Sequence, residues 1–154
     1  MRFAIVAVGR LKERHWREAA EEYLKRLTPY ARIDITEVPG RDVTADEPLA
    51  LALEAEGILR ALPEGAIVAV LDPLGRERSS EEFAAWLDRL GVKGRSHVAF
   101  VIGGAAGLHA DVLARADERL SFGPMTLPHQ LARVVLLEQL YRAFRINRGE
   151  PYHR

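Results

Sequence analysis

Three stretches of the chain carry residue types and spacings that could do chemistry. Gly103-Gly104-Ala105-Ala106-Gly107 lacks side chains at three positions, so a ligand could lie directly against its backbone. No Gly-Lys-Ser/Thr follows, so it is not a phosphate loop, and its GGxxG spacing is not a dinucleotide fingerprint. Taken alone it reads as a tight strand-to-helix turn, and only the other loops favour a ligand. Phe122-Gly123-Pro124-Met125-Thr126-Leu127 offers backbone donors and acceptors between small and apolar side chains. That suits a flat adenine ring, read by its edge and sandwiched by apolar groups. Met125 and Leu127 would serve equally well as core. Leu71-Asp72-Pro73-Leu74-Gly75 is the third candidate, read as a loop after a buried strand.

Titratable and cationic groups cluster near the end of the chain. His129 opens a long helix, where a histidine serves as a structural hydrogen-bonder or as a base. Glu138 and Arg142 stand at i, i+4 and read as a pair, with substrate positioning as the alternative. Arg133, Arg145 and Arg148 could hold phosphates or simply face water. Tyr152 and His153 join an aromatic ring to a titratable one, which suits base stacking and proton handling. The five histidines, at 15, 97, 109, 129 and 153, fall at no metal-ligand spacing. No nucleophile elbow with a Ser-His-Asp order is visible.

Composition narrows the classes. The chain has 154 residues, enough for one domain with a real core, and it contains no cysteine. Disulfides and thiol chemistry are therefore excluded. Phe3-Ala4-Ile5-Val6-Ala7-Val8 is too short for a signal core or a membrane span and reads as a buried strand, so a cytoplasmic location is expected. The net charge is zero but unevenly spread: residues 1–32 carry +4, 33–132 carry −7 and 133–154 carry +3. If the two ends meet in space they form a basic face suited to RNA. Solvated helix faces account for the same charges.

Elements must position these groups, and their order is regular. Apolar runs at 3–8, 66–71 and 97–102 read as strands covered on both faces, whereas Ile33, Ile35 and Val38 alternate with acids as in an edge strand. Helical spacing runs from His15 to Leu27, from Leu49 to Leu62, from Ser79/Ser80 to Leu90 and from Asp111 to Ala116. Ser79 with Glu82 reads as a capping box. Arg119 to Phe122 is a last short strand. The final helix spans Gln130 to Asn147, and its apolar stripe is too wide for one face, so a second cover is expected. This alternation implies a single α/β domain over 1–154, a three-layer and mostly parallel sheet. In such sheets ligands sit at the carboxyl ends of the strands, where the three loops fall.

The combined motifs resemble those of the RlmH family over essentially the whole chain. The resemblance rests on Val101 to Leu108, Leu120-Ser121-Phe122, Met125 to Gln130, Glu138 to Phe144 and the ending Asn147-Arg148-Gly149-Glu150-Pro151-Tyr152-His153. It implies a SPOUT-class enzyme that uses S-adenosyl-L-methionine to methylate N3 of a pseudouridine in 23S rRNA of the large ribosomal subunit. It also implies a C-terminal trefoil knot and a homodimer, and the histidine spacing gives no metal. The cofactor contacts would be Leu71, Gly103, Phe122, Gly123, Pro124, Met125, Thr126 and Leu127. Tyr152 and His153 would serve the substrate side, completing a site on the partner subunit, with His153, His129 or water taking the proton. Arg133, Arg142 and Arg148 would meet RNA phosphates. One departure stands out: many members carry a polar or acidic residue in the glycine loop where this chain has Ala105-Ala106. A non-catalytic RNA-binding module and a SPOUT enzyme acting on tRNA are the competing readings.

Overall fold

The computed structural model describes residues 1–152. The chain alternates strands and helices in the order β1 (Arg2–Val8), α1 (Arg14–Leu27), β2 (Arg32–Val38), α2 (Glu47–Ala61), β3 (Ile67–Glu77), α3 (Ser80–Val92), β4 (His97–Ile102), α4 (Ala110–Arg115), β5 (Glu118–Ser121) and α5 (His129–Asn147). The five strands form one sheet in the order β2-β1-β4-β3-β5, and every pairing between them is parallel.

The period-two geometry of a strand sends alternate side chains to opposite faces. Phe3, Ile5 and Ala7 of β1 pack with α1, α3 and α5, whereas Ala4, Val6 and Val8 pack with α2 and α4. Two cores therefore sandwich the sheet, which is the expected three-layer arrangement. β2 keeps the edge position that its alternation implies.

Local signals fix most element ends. Ser79 Oγ accepts from the Glu82 amide at 3.1 Å while the Ser79 amide donates to the Glu82 carboxylate at 2.8 Å, the capping box read from sequence. Asp46 caps α2 by accepting from the Leu49 amide, with Pro48 in the first turn.

One expectation fails. Asp72-Pro73-Leu74-Gly75 is not a loop between elements but part of β3, which runs on to Glu77. β3 pairs with β5 through Leu71, shifts register, and resumes pairing at Arg76. The bulge absorbs the turn-forming residues. At Gly75 the two strands lie so close that a Cβ would fall 2.7 Å from the carbonyl carbon of Arg119. Only glycine fits that approach.

Candidate active site

Parallel pairing puts the carboxyl ends of β4, β3 and β5 side by side. The β3 bulge and the segments leaving β4 and β5 converge on one cavity of about 600 Å³. Its size lies within the usual range for small-molecule sites. Leu71, Gly103, Phe122, Gly123, Met125, Thr126 and Leu127 all stand on its wall, as does His129 at the start of α5. Pro124, expected among them, is exposed and does not line it.

Backbone geometry explains the glycines. A Cβ at Gly103 would lie 2.7 Å from the Gly107 carbonyl oxygen, because the loop folds back on itself. Gly107 and Gly123 adopt φ of +83° and +109°, which L side chains rarely reach. Ser121 then links two walls: its hydroxyl donates to the Pro73 carbonyl at 3.1 Å and accepts from the Gly123 amide at 3.0 Å. α5 begins at Pro128 with no side-chain cap, so its first amides lack a side-chain acceptor beside the cavity.

Two titratable side chains line the cavity among the described residues, His129 and Asp72. Asp72 escapes a motif search because it reads as turn chemistry. Its carboxylate accepts from the Leu74 amide at 3.0 Å and lies 3.8 Å from Arg119. No group of three or more His, Cys, Asp or Glu among the described residues could hold a metal ion. No helix of the described residues is long and apolar enough to cross a membrane.

The basic residues divide sharply. Arg133, expected to meet RNA, is 3% exposed. It donates to Glu37 at 2.7 Å and to the Gly9 carbonyl at 3.0 Å, tying α5 to the end of β2 and the turn after β1. It is an internal clamp, too deep to meet a phosphate. Arg142 pairs with Glu138 at 2.7 Å, as the i, i+4 spacing implies, and that hydrogen bond raises its pKa further. Arg148 is exposed at the end of α5, with its guanidinium 4.6 Å from the Tyr30 ring centroid.

The tail is held against its own helix. Arg145 pairs with Glu150 and donates to the Pro151 carbonyl at 2.8 Å. Tyr152 packs edge-on against Tyr141 at 4.9 Å, and its hydroxyl donates to Glu138 at 3.2 Å. Glu138 lies nine residues beyond His129, about 14 Å along the helix axis. Tyr152 therefore does not line its own chain's cavity. His153 lies outside the described residues.

Comparison with known proteins agrees with this geometry. Residues 1–153 match the family described as "Predicted SPOUT methyltransferase". Full-length relatives named ribosomal RNA large subunit methyltransferase H include those of Listeria welshimeri, 52% identical, and Alkaliphilus oremlandii, 48% identical, each covered over 100% of both chains. A probable methylase family protein from Haemophilus influenzae shares the fold with a TM-score of 0.56 at 16% identity, over 99% of this chain and 70% of that one. A probable methyltransferase from Bordetella pertussis does so with a TM-score of 0.56 at 18% identity, over 92% and 94%. This chain belongs to the SPOUT methyltransferase family and, within it, to the ribosomal RNA large subunit methyltransferase H group.

Proposed function

We propose that the chain transfers a methyl group from S-adenosyl-L-methionine to N3 of a pseudouridine in 23S rRNA of the large ribosomal subunit. The observation that carries this reading is the cavity built by the β3 bulge and the ends of β4 and β5, in a chain whose full-length relatives bear a ribosomal RNA methyltransferase name.

The residues present fit the cofactor. Apolar side chains of Leu71, Phe122 and Leu127 can flank an adenine, while the glycine loop and the 122–127 backbone supply edge contacts. The uncapped first turn of α5 offers amides to a carboxylate. When bound, S-adenosylmethionine supplies an electrophilic methyl group on a sulfonium. The chain's own work is to hold the nucleophile in line and to exclude water. The N3 proton must leave. His129, on the cavity wall, is one candidate acceptor, with His153 of a second copy and water as the others.

A homodimer follows from the same reading. Leu131, Val134 and Val135 of α5 remain only half-buried, and a second copy would cover them. Because Tyr152 is remote from its own cavity, the tail is assigned to the partner's. Arg142 and Arg148 are the proposed phosphate contacts, with Arg133 removed from that set. The trefoil knot is assigned to the C-terminal part of the chain, beyond the close approach of β3 and β5 at Gly75. A cytoplasmic enzyme without metal completes the proposal.

The test is methyl transfer from labelled S-adenosylmethionine to large subunits lacking the modification, beside free rRNA and tRNA. Label mapping to pseudouridine N3, and absent with a chain truncated before Pro151, is the expected result. Label in tRNA alone would overturn the substrate. Failure to bind the cofactor would overturn the enzymatic reading.

A further inference from the structure

A second cavity of about 400 Å³ adjoins the first and shares Leu120, Phe122, Gly123 and Leu127 with it. Its remaining wall comes from the end of β3, the first turn of α3 and the middle of α5, including Ser80, Phe83 and Gln139. An occupant of this cavity would sit next to whatever fills the first.

The Gln139 amide can point only one way. The Glu138 carboxylate accepts and cannot donate, so Gln139 Nε2 must face it, at 2.7 Å. Gln139 Oε1 is then turned to Ser80, whose hydroxyl donates at 2.6 Å. A carbonyl oxygen has two lone pairs, so one remains for a donor from a ligand. Arg78, also on this wall, has a side chain only 4% exposed and pairs with Glu118 at 3.0 Å through Nη2. Its Nη1 has no acceptor among the described residues. The wall thus carries one spare acceptor, at Gln139, while Arg78 Nη1 is sealed from solvent.

We propose that this second cavity receives the target base and that the Gln139 carbonyl reads the N1–H that pseudouridine has and uridine lacks. The inference rests on the proposed methyl transfer to pseudouridine N3. Pseudouridine is joined to its sugar through carbon, so N1 carries a hydrogen and lies beside the C2 carbonyl. That N1–H donor complements the spare lone pair of Gln139 Oε1. N3 lies on the far side of C2, so a base held by N1–H can turn N3 to the shared wall and the methyl donor. A base modified on its pairing edge must leave its stack first, and a cavity beside the cofactor gives it a destination. Uridine with its sugar and N3 in the same places presents C5–H where pseudouridine presents N1–H and leaves the Gln139 acceptor unmet, which is how a site rejects an analogue lacking one hydrogen-bonding group.

The test compares kcat/KM on large subunits carrying pseudouridine or uridine at the target position, for the intact protein and for Gln139→Leu, Gln139→Met and Ser80→Ala. Cofactor Kd and thermal unfolding are measured alongside. The intact protein should prefer pseudouridine by about tenfold or more, one well-placed hydrogen bond. Both Gln139 variants should fall to within about twofold with cofactor Kd unchanged, while Ser80→Ala, which keeps the carbonyl, should retain the preference. An unchanged preference in folded Gln139 variants overturns the proposal, as does weakened cofactor binding in its place, which would give the cavity to the cofactor. Equal rates on both substrates with the intact protein sink this inference and leave the methyltransferase reading standing. Transfer to neither removes both.

Discussion

Ser121 and Pro73 are joined across two walls of the main cavity, the Ser121 hydroxyl donating to the Pro73 carbonyl at 3.1 Å. The same oxygen accepts from the Gly123 amide, so one buried side chain sets the spacing between the β3 bulge and the turn after β5. Pro73 and Gly123 line the main cavity and Ser121 lines the second, so both bonds lie within the wall between them. Together they hold its shape.

Ser121→Ala should therefore loosen the cavity without emptying it. An amide and a carbonyl, both partly buried, lose their partner, at a cost of about 1–2 kcal/mol in stability. Cofactor affinity should fall roughly five- to tenfold, because the walls must then be ordered on binding. Calorimetric titration with S-adenosylmethionine beside thermal unfolding checks both. Unchanged affinity would show that the two walls are held by something other than Ser121.

Gly75→Ala probes the close approach of β3 to β5. Its new Cβ would sit within 2.7–2.9 Å of the Arg119–Leu120 backbone, and backbone cannot swing aside as a flexible side chain can. Destabilisation of roughly 2–3 kcal/mol is expected from forced overpacking, with cofactor binding weakened because Leu71 and Phe122 lie on the same two strand ends. Gly65→Ala serves as the control. It meets nothing within 4 Å and has only a φ of +74° to resist it, so its cost should be about 1 kcal/mol with cofactor affinity intact.

What could be read in advance follows from the range of each interaction. The capping box at Ser79 and Glu82 is a three-residue signal and was legible. The two-sided burial of β1, β3 and β4 was legible too, as unbroken apolar runs. Asp72 to Gly75 misled because Pro and Gly advertise a turn, while a bulge in a strand uses the same residues and is set by the β5 partner over forty positions later. Arg133 misled for a similar reason: its partners Glu37 and Gly9 lie 96 and 124 residues away, and nothing near Arg133 announces them. The loops of the cavity were identifiable only because parallel strands send their carboxyl ends to one edge.

Arg133 and Arg148 should separate stability from RNA binding. Arg133→Met leaves Glu37 without its partner and the Gly9 carbonyl without a donor. A loss of about 2–4 kcal/mol is expected, below the fully buried case because Glu37 is partly exposed. The salt dependence of RNA binding should stay as it was, since no phosphate contact is removed. Arg148→Ala should do the reverse, with stability within about 0.5 kcal/mol and a salt slope smaller by about one unit. Denaturant unfolding and RNA binding at several ionic strengths distinguish the two. A reduced salt slope in Arg133→Met would return that residue to the RNA surface.

Tyr152 gives the tail a pH dependence of known sign. Burial first, and then the Glu138 charge, raise its phenol above the ordinary value of 10.0. The folded pKa therefore exceeds the unfolded one. The stabilisation from the docked phenol is fully present below about pH 10 and is lost as pH rises through the folded value. Two consequences follow. Below about pH 9 the phenol is neutral and donates to Glu138, so it is a poor acceptor for the N3 proton, and Tyr152→Phe should not move the pH profile of methyl transfer in that range. Above about pH 10 the tyrosinate absorbance assigned to Tyr152, taken as intact protein minus Tyr152→Phe, should emerge later than that of free tyrosine. Its appearance should coincide with release of the tail from Tyr141. A profile whose basic limb disappears in Tyr152→Phe would instead make the phenol the proton acceptor and reverse its assigned role.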